Sequence, residues 1–335
     1  MKISFCIPTY NREKFLEPLI KSIAEQKEHS FELEICISDN ASTDNTGSKV
    51  VEWSEFYSIE IIYHRHTVNI GPDKNYLSAV ALGTGDYCWI FGSDDILEHD
   101  ALSCLEKNIA SDSDIYLCDR KEMSIGMDLI KNPHRRWLSC GSKLFELTSN
   151  EDRLRFFDYC QSVGGVFSYL SSIVVKRSCW HEIEFHEDYN GTAYAHAYIL
   201  LGVFNTPHSK LHYIAEPLVL CRGDNDTFEH NGRGKRINID FNGYMKLAND
   251  FYANNQQLMK ALQKVLLRER PWLYTVMAMA IYGNDDEKND LMNHYRKLGY
   301  APLCTRLIYA MKNVIIFSKS NKEIKGVVKS LFYRQ

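Results

Sequence analysis

The chain has no run of about 18 apolar residues, the length a helix needs to cross a bilayer, so no stretch of it reads as a transmembrane span. It has no C-x-x-C pair and no zinc-like cysteine spacing. Its 10 cysteines are scattered, which suits free thiols in a reducing cytosol better than a disulfide framework, and most read as small core residues. A large excess of either charge is missing, since 39 Lys and Arg nearly balance 43 Asp and Glu for a net −4, which leaves no global basic field for nucleic acid. The opening Met1-Lys2-Ile3-Ser4-Phe5-Cys6-Ile7-Pro8 is too short, and too soon interrupted by Pro8, to read as a secretory signal. Hydrophobic residues are plentiful at 45%, enough to bury one large core or two moderate ones.

Hydrophobic periodicity organises the first third. Lys2 to Ile7 reads as a short apolar strand stopped at Pro8. Phe15, Leu16, Leu19, Ile20 and Ile23 recur at helical spacing and predict a helix over Glu13 to Gln26. Alternation of Leu33, Ile35 and Ile37 predicts a strand from Phe31 to Ser38, with a helix after it over Thr46 to Phe56. A third strand, Ile59 to Tyr63, precedes a polar loop and a helix through about Leu82. A fourth, Asp86 to Phe91, empties into Gly92-Ser93-Asp94-Asp95. This β-α-β-α-β-α-β order argues an α/β fold with a mostly parallel sheet and right-handed crossovers.

Each of these strands ends in a polar loop, and ligands of open α/β sheets bind at the carboxyl ends of the strands. Pro8, Thr9, Tyr10 and Arg12 offer a fixed backbone, a hydroxyl, an aromatic face and a cation, while Asn11 could equally cap the next helix. Asp39 leaves its strand where it could accept from a nucleobase edge or ribose, and Ser42 or Asp44 could cap a helix. Asn69, Gly71 and Lys74 stand near a helix start able to meet phosphate. Asp94 and Asp95 could hold a metal and a phosphorylated ligand, or form a turn and helix cap.

In this order, Ile7-Pro8-Thr9-Tyr10-Asn11-Arg12, Ser38-Asp39-Asn40-Ala41-Ser42-Thr43-Asp44, Asn69-Ile70-Gly71 and Ser93-Asp94-Asp95 resemble a family 2 glycosyltransferase of the GT-A fold, a Rossmann-like nucleotide-sugar domain. The resemblance is strong over residues 1 to 120 and looser to about 225. Further runs, Tyr116 to Glu122, Asn132 to Arg135, Gly164 to Ser172 and Cys221 to Asp226, are similar to bacterial O-antigen abequosyltransferases. Such enzymes move a 3,6-dideoxyhexose from a CDP-sugar onto a lipid-linked oligosaccharide. The resemblance implies that Pro8, Thr9, Tyr10, Arg12, Asp39, Asn69, Gly71, Lys74 and Asp94 line the nucleotide-sugar site. It implies that Asp95 holds a divalent metal, Mg2+ or Mn2+, on the diphosphate. Gly92 and Ser93 stand where further acids are usual, which leaves fewer carboxylates for that ion. Arg222, after an apolar strand, could add a planar cation to the same phosphates.

An inverting enzyme of this family needs a carboxylate base well beyond the metal motif, and a retaining one needs no such base. Asp188 and His196 are the candidates in that region. His134, Arg135, Arg136 and Trp137 form a basic and aromatic cluster, suited either to a lipid-linked acceptor or to a solvated loop. Gly164-Gly165 suggests close backbone approach to a ligand or to another chain segment.

The pattern then changes. Residues 1–228 read as the GT-A domain and 229–335 as a helical C-terminal appendage, where Asp285-Asp286-Glu287 fits a helix start and not a second metal site. The last stretch interleaves Arg306, Lys312, Lys319, Lys322, Lys325, Lys329 and Arg334 with apolar residues. A basic amphipathic end of that kind suits the cytoplasmic face of a bacterial inner membrane, or packing against the chain or a second copy. With these features beside it, the resemblance implies abequose transfer from CDP-abequose to a mannose of a lipid-linked intermediate of lipopolysaccharide. The rivals are transfer from a different nucleotide sugar and a non-catalytic nucleotide-binding module.

Overall fold

The computed structural model describes residues 1–223 and 232–310. Asp224 to Asp226, the boundary placed at 228/229 and the basic end beyond Ala310 lie outside the described residues. The first elements alternate: β1 (Lys2–Thr9), α1 (Glu13–Ala24), β2 (Glu32–Asp39), α2 (Thr46–Tyr57), β3 (Glu60–Arg65), α3 (Pro72–Ala81) and β4 (Tyr87–Ile90). Next come β5 (Ile96–Leu97), α4 (Ala101–Ile109), β6 (Ile115–Met123), β7 (Ile130–Arg135), β8 (Lys143–Leu147) and α5 (Asn150–Tyr159). They are followed by β9 (Ile173–Lys176), α6 (Arg177–Glu182), α7 (Ala195–Asn205) and β10 (Ser209–Arg222). Five helices close the described chain: α8 (Arg233–Tyr252), α9 (Gln256–Glu269), α10 (Trp272–Tyr282), α11 (Asp285–Lys297) and α12 (Pro302–Ala310).

The strands form one sheet in the order β3-β2-β1-β4-β9-β6-β10-β5, with β7 on β6 and β8 on β10. The first four are parallel, as the alternating pattern predicts. Beyond β4 the sheet is mixed: β9 is antiparallel to β4 and β6, β10 is parallel to β6, and β5, β7 and β8 pair antiparallel. β9 enters between β4 and β6 from far downstream, a direction that periodicity in a short apolar run does not encode. β1 also runs past its expected stop to Thr9. The Cys6 carbonyl accepts from the Phe91 N–H at 2.9 Å, so alternation points the Pro8 nitrogen the same way, beyond the end of β4 at Ile90, and no ladder bond is lost.

The pleat sorts the core. Ile3, Phe5 and Ile7 face one way and join Ile35, Ile37 and Trp89 beneath α1, α2 and α4, with the Phe5 and Trp89 rings stacked at 5.4 Å. Each such buried side chain contributes about 1.5–3 kcal/mol. Ser4, Cys6, Cys36 and Cys88 are buried as well, small residues on the alternate positions of β1, β2 and β4. Close approach on that side is visible just past α3, where a Cβ on Gly83 would come within 3.0 Å of Ser4 Cβ and 3.3 Å of Cys88 Sγ.

The chain divides into two compact units, Met1–Asn225 with Leu247–Val265, and Asp226–Lys246 with Leu266–Gln335. In the first, Tyr252 packs on Phe157 and its hydroxyl accepts from Asn205 Nδ2 at 3.0 Å, while Tyr189 donates to Asp250 at 2.9 Å. In the second, Phe241, Tyr295, Tyr300 and Trp272 form an aromatic chain, and the Asp240 carboxylate takes Arg236 and Arg270. Asn284 and Glu287 cap α11 reciprocally, which makes Asp285 to Glu287 a helix start. Among the described residues no helix is long and apolar enough to cross a membrane.

Candidate functional site

β1 and β2 end side by side, with Thr9 opposite Asp39, and their exit loops are stitched together. Asn11 sits in the left-handed region at φ 53°, a conformation asparagine tolerates. Its N–H donates to Ser42 Oγ (2.8 Å) and its Oδ1 accepts from the Thr43 N–H (2.7 Å). Asn11 therefore joins two loops and does not cap α1, whose cap position is Arg12. Asp44 does serve the start of α2, accepting from the Thr46 N–H (3.1 Å) and hydroxyl (2.6 Å). Asp39 is fully buried. Its Oδ1 accepts from the Ser42 N–H (2.8 Å) and its Oδ2 from the Tyr63 hydroxyl (2.5 Å), with Arg65 Nε at 3.9 Å. Burial and the Asp39 charge raise the Tyr63 pKa, so the phenol stays a donor. Beside them the buried Thr9 Oγ1 has no hydrogen-bond partner, an unmet need of the kind a bound ligand satisfies. Tyr10 projects, 44% exposed, and Pro8 is buried in the strand.

Asp94 and Asp95 are not a helix cap, because β5 follows at Ile96 and α4 begins only at Ala101. Asp95 is buried, with Oδ2 accepting from the Tyr169 hydroxyl (2.6 Å) and the Ser171 hydroxyl (2.5 Å), and Oδ1 accepting from the Arg222 N–H (3.0 Å). Burial, and then the neighbouring charge of Asp94, push its pKa up to about 6 against the pull of those three donors. Arg12 lies 3.7 Å from Asp94 Oδ2, and Arg222 Nε donates to the Asp94 carbonyl at 2.9 Å. Both guanidinium groups lie over the Phe15 ring, at 5.4 and 4.7 Å from its centroid. Two planar cations thus flank two carboxylates at the end of a parallel strand. Guanidinium forks match diphosphate oxygens.

Among the described residues no three His, Cys, Asp or Glu side chains gather to hold a metal ion. The Asp pair nonetheless fits a hard cation. Asp95 has spent three of a carboxylate's roughly four lone-pair directions, and with Asp94 it gives an oxygen-only set that a diphosphate and water can complete. A cation would also relieve the charge repulsion and burial that raise the Asp95 pKa.

The loop before α3 is tied to the β2 exit. Asn69 Oδ1 accepts from Asn40 Nδ2 (3.0 Å) and the Gly71 N–H (2.9 Å), and Asn40 Oδ1 accepts from the Ile70 N–H (2.7 Å). Gly71 turns at φ 84°, a conformation that favours glycine. Lys74 pairs with Glu187 at 3.4 Å. Its neighbour Asp73, fully buried, accepts from the N–H groups of Gly191 (2.8 Å), Ala193 (2.9 Å) and Ala195 (3.1 Å), which fixes the entry to α7.

Both candidate bases lie along that segment. Asp188 is largely exposed and 3.6 Å from His186. His196 is 2% exposed, with Nε2 2.9 Å from the Phe167 carbonyl and Nδ1 without a partner. A carbonyl only accepts, so Nε2 carries the proton. Burial lowers the pKa to about 4 and keeps the ring neutral.

The structure thus joins Thr9, Arg12, Asp39, Asn69, Gly71, Asp94, Asp95 and Arg222 through shared loops, while Lys74 on α3 reaches out to Glu187 and Asp188 lies in the exposed turn of Glu187. One reading is corrected and one open alternative is decided. Trp137 is not part of an open cluster: it is 3% exposed, its indole N–H reaches the Cys118 carbonyl and Ser172 Oγ (both 2.9 Å), and His134 is held by buried Asp119 at 2.8 Å. The close approach at Gly164 is to Trp137, whose ring would lie 2.1 Å from a Cβ, and not to a ligand. Motif reading gives no site role to Phe15, Tyr63 or Asp73, and none to Asn40, Tyr169 or Ser171, although these three fall inside the runs that carry the resemblance. Tyr169 and Ser171 reach Asp95 across 74 and 76 residues of sequence, a distance no local pattern spans.

A Rossmann-like sheet with arginines and paired acids at its strand exits defines a glycosyltransferase of the GT-A type. The chain belongs to glycosyl transferase family 2, whose model matches residues 4–172. It is 51% identical over 335 residues to "Abequosyltransferase RfbV" of Salmonella typhimurium, an alignment covering 97% of this chain and 99% of that protein. A shorter match, 30% identical over 102 residues, is to the poly(ribitol-phosphate) beta-N-acetylglucosaminyltransferase TarS of Staphylococcus aureus, covering 30% of this chain and 18% of TarS. The fold is shared with solved structures. A TarS 1-349 crystal structure superposes with a TM-score of 0.60 at 16% identity, covering 88% of this chain and 79% of TarS 1-349. The mannosyltransferase PcManGT of Pyrobaculum calidifontis, solved in complex with GDP-Man and Mn2+, superposes with a TM-score of 0.55 at 17% identity, covering 99% and 88%.

Proposed function

We propose that this glycosyltransferase moves abequose from CDP-abequose to a mannose of a lipid-linked O-antigen intermediate, at the cytoplasmic face of a bacterial inner membrane. The observation that carries the reading is 51% identity to an abequosyltransferase along 97% of the chain. In this reading the cytosine edge meets Asp39, which is aimed by Tyr63 and Ser42, and the nucleoside lies between the Thr9–Arg12 loop and the Asn69–Gly71 loop. Arg12 and Arg222 take diphosphate oxygens, and their charge opposes the negative charge that grows on the leaving group as the glycosidic bond breaks. Asp95, with Asp94 beside it, would hold Mg2+ or Mn2+ there, and such an ion, when bound, supplies further neutralisation of that leaving group.

His196 and Asp188 take supporting roles in this reading. The first is 2% exposed and its pKa is lowered to about 4, which makes it a weak base shut away from solvent, and the second lies in the exposed turn that pairs Glu187 with Lys74. Membrane contact is supported by exposed Leu303 and Leu307 on α12, with Arg306 between them and a basic, apolar sequence following. We place the catalytic domain within residues 1–228.

The test is turnover by the purified chain with CDP-, UDP-, GDP- and dTDP-sugars and a lipid-linked mannose-bearing acceptor. Transfer from CDP-abequose, weaker by at least tenfold with the others, is expected, whereas turnover with a UDP-hexose alone overturns the assignment.

A further inference from the structure

Asp95 is not aimed by its own strand. Two hydroxyl groups from a distant segment, Tyr169 and Ser171, converge on its Oδ2 at 2.6 and 2.5 Å. That segment is itself anchored. The Ser171 carbonyl accepts from the Trp89 indole N–H (2.8 Å), Ser171 Oγ accepts from the Gly92 N–H (2.9 Å), and Ser172 Oγ accepts from the Trp137 indole N–H (2.9 Å). The Tyr169 ring is clamped in turn, because the Arg120 guanidinium lies 4.1 Å from its centroid and 4.8 Å from that of Trp137. Glu122 holds Arg120 from the side at 2.9 Å.

Gly92 gives an independent reason to treat this as a built arrangement. It stands where a further acid is usual, and a Cβ there would come 3.1 Å from Asp95 Oδ2 and 3.2 Å from Ser171 Oγ. A side chain at position 92 would crowd the Ser171–Asp95 hydrogen bond, so the absent acid and the hydroxyl pair belong together. With Oδ2 taken by two donors and Oδ1 by the Arg222 N–H, Asp95 keeps about one lone-pair direction, and that direction is fixed.

We infer that Tyr169 and Ser171 are positioning residues that aim the remaining oxygen face of Asp95 at a divalent cation bound with the donor diphosphate, and that Arg120 holds Tyr169 in register. The inference rests on the proposed assignment of Asp95 to that cation. Supporting residues of this kind typically change metal affinity by about 10- to 100-fold when removed.

Tyr169→Phe keeps the ring under Arg120 and removes only the hydroxyl, and Ser171→Ala removes the second donor. The experiment titrates Mn2+ into parent and variants with CDP present, following the ion by electron paramagnetic resonance. Metal-free CDP binding is measured by calorimetry and Tm by scanning fluorimetry. Each variant is expected to weaken Mn2+ binding about tenfold while metal-free CDP affinity changes less than twofold and Tm stays within a few degrees. Asp95→Asn separates the two layers of the argument. If the parent takes up no Mn2+ with CDP, or Asp95→Asn binds it as the parent does, the cation assignment fails and this inference falls with it. If Asp95→Asn loses the ion while Tyr169→Phe and Ser171→Ala keep it, the positioning role alone is overturned. Equal loss of metal-free CDP binding, or a collapse of Tm, would make the pair a fold-holding contact and also overturn it.

Discussion

His196 offers a measurement whose sign and size follow from burial. In the folded chain its imidazole is 2% exposed and neutral, with the pKa lowered from the ordinary 6.5 to about 4. The unfolded chain takes up a proton below pH 6.5 that the folded chain refuses until about pH 4. Stability from this residue is therefore whole above pH 6.5 and is lost as the pH falls toward 4. Those two values imply a loss of about 2 kcal/mol by pH 5 and about 3 kcal/mol in full. His196→Gln places an amide N–H where Nε2 now donates to the Phe167 carbonyl and removes the titration. Urea unfolding, read from the five tryptophans at pH 7.5 and pH 5, should show the variant within about 1 kcal/mol of the parent at the higher pH. At pH 5 the variant should have gained about 2 kcal/mol relative to the parent, since acid effects common to both chains cancel. Equal losses in the two proteins would refute the buried, neutral imidazole. The same variant tests chemistry, because a buried imidazole whose pKa is lowered to about 4 is a weak base and its loss should leave kcat within about threefold, whereas loss of a working general base gives a drop of about 100-fold or more.

Arg222→Ala should lower kcat/KM for the nucleotide sugar about 100-fold, because its guanidinium stands beside Asp94 and would meet charge that grows during bond breaking. An unchanged value in steady-state kinetics would move Arg222 out of the site. Asp73→Asn should destabilise the first unit by about 2–4 kcal/mol in urea, since the carboxylate accepts three backbone N–H groups and an amide would turn its own donor toward one of them. A shift under about 0.5 kcal/mol would show that the entry to α7 holds without it. Gly164→Ala should cost about 1–3 kcal/mol, because its Cβ would lie 2.1 Å from the Trp137 ring, and tryptophan emission should report the displaced indole.

The parallel half of the sheet was legible because each of its strands is a local apolar run bounded by polar turns, and the acids, amides and arginines at the exits sit directly after those runs. Arg222 was legible for the same reason, at the end of β10. What escaped reading depends on partners distant in sequence. β9 pairs with β4 only after the middle segment has folded back, so its antiparallel direction left no mark on either strand. Trp137 carries no sign that Asp119 and Ser172 will enclose it, and beside three basic residues it resembles an exposed patch. Tyr169 and Ser171 look like ordinary polar residues of a turn until Asp95 is placed against them.

This difference bears on how the site recognises its ligand. Asp39 and Asn69 hold backbone N–H groups of their own loops, and Asn11, Asn40 and Asp44 hold those of neighbouring ones. These bonds lie wholly within the protein and need no ligand atom, so little of the binding free energy should be consumed in ordering the loops. The same engagement limits what those side chains can still offer. Asp39, with both oxygens occupied, can accept one or two further hydrogen bonds from a base, each worth about 0.5–1.5 kcal/mol net. Charge-assisted bonds from guanidinium groups to a diphosphate are roughly twice as strong. Most of the affinity should then reside at the Arg12, Asp94, Asp95 and Arg222 end, with Asp39 and Tyr63 selecting the base. It follows that CDP should bind far better than cytidine, whereas UDP should lose only a modest factor against CDP in binding, and that discrimination between donors should appear mainly in kcat.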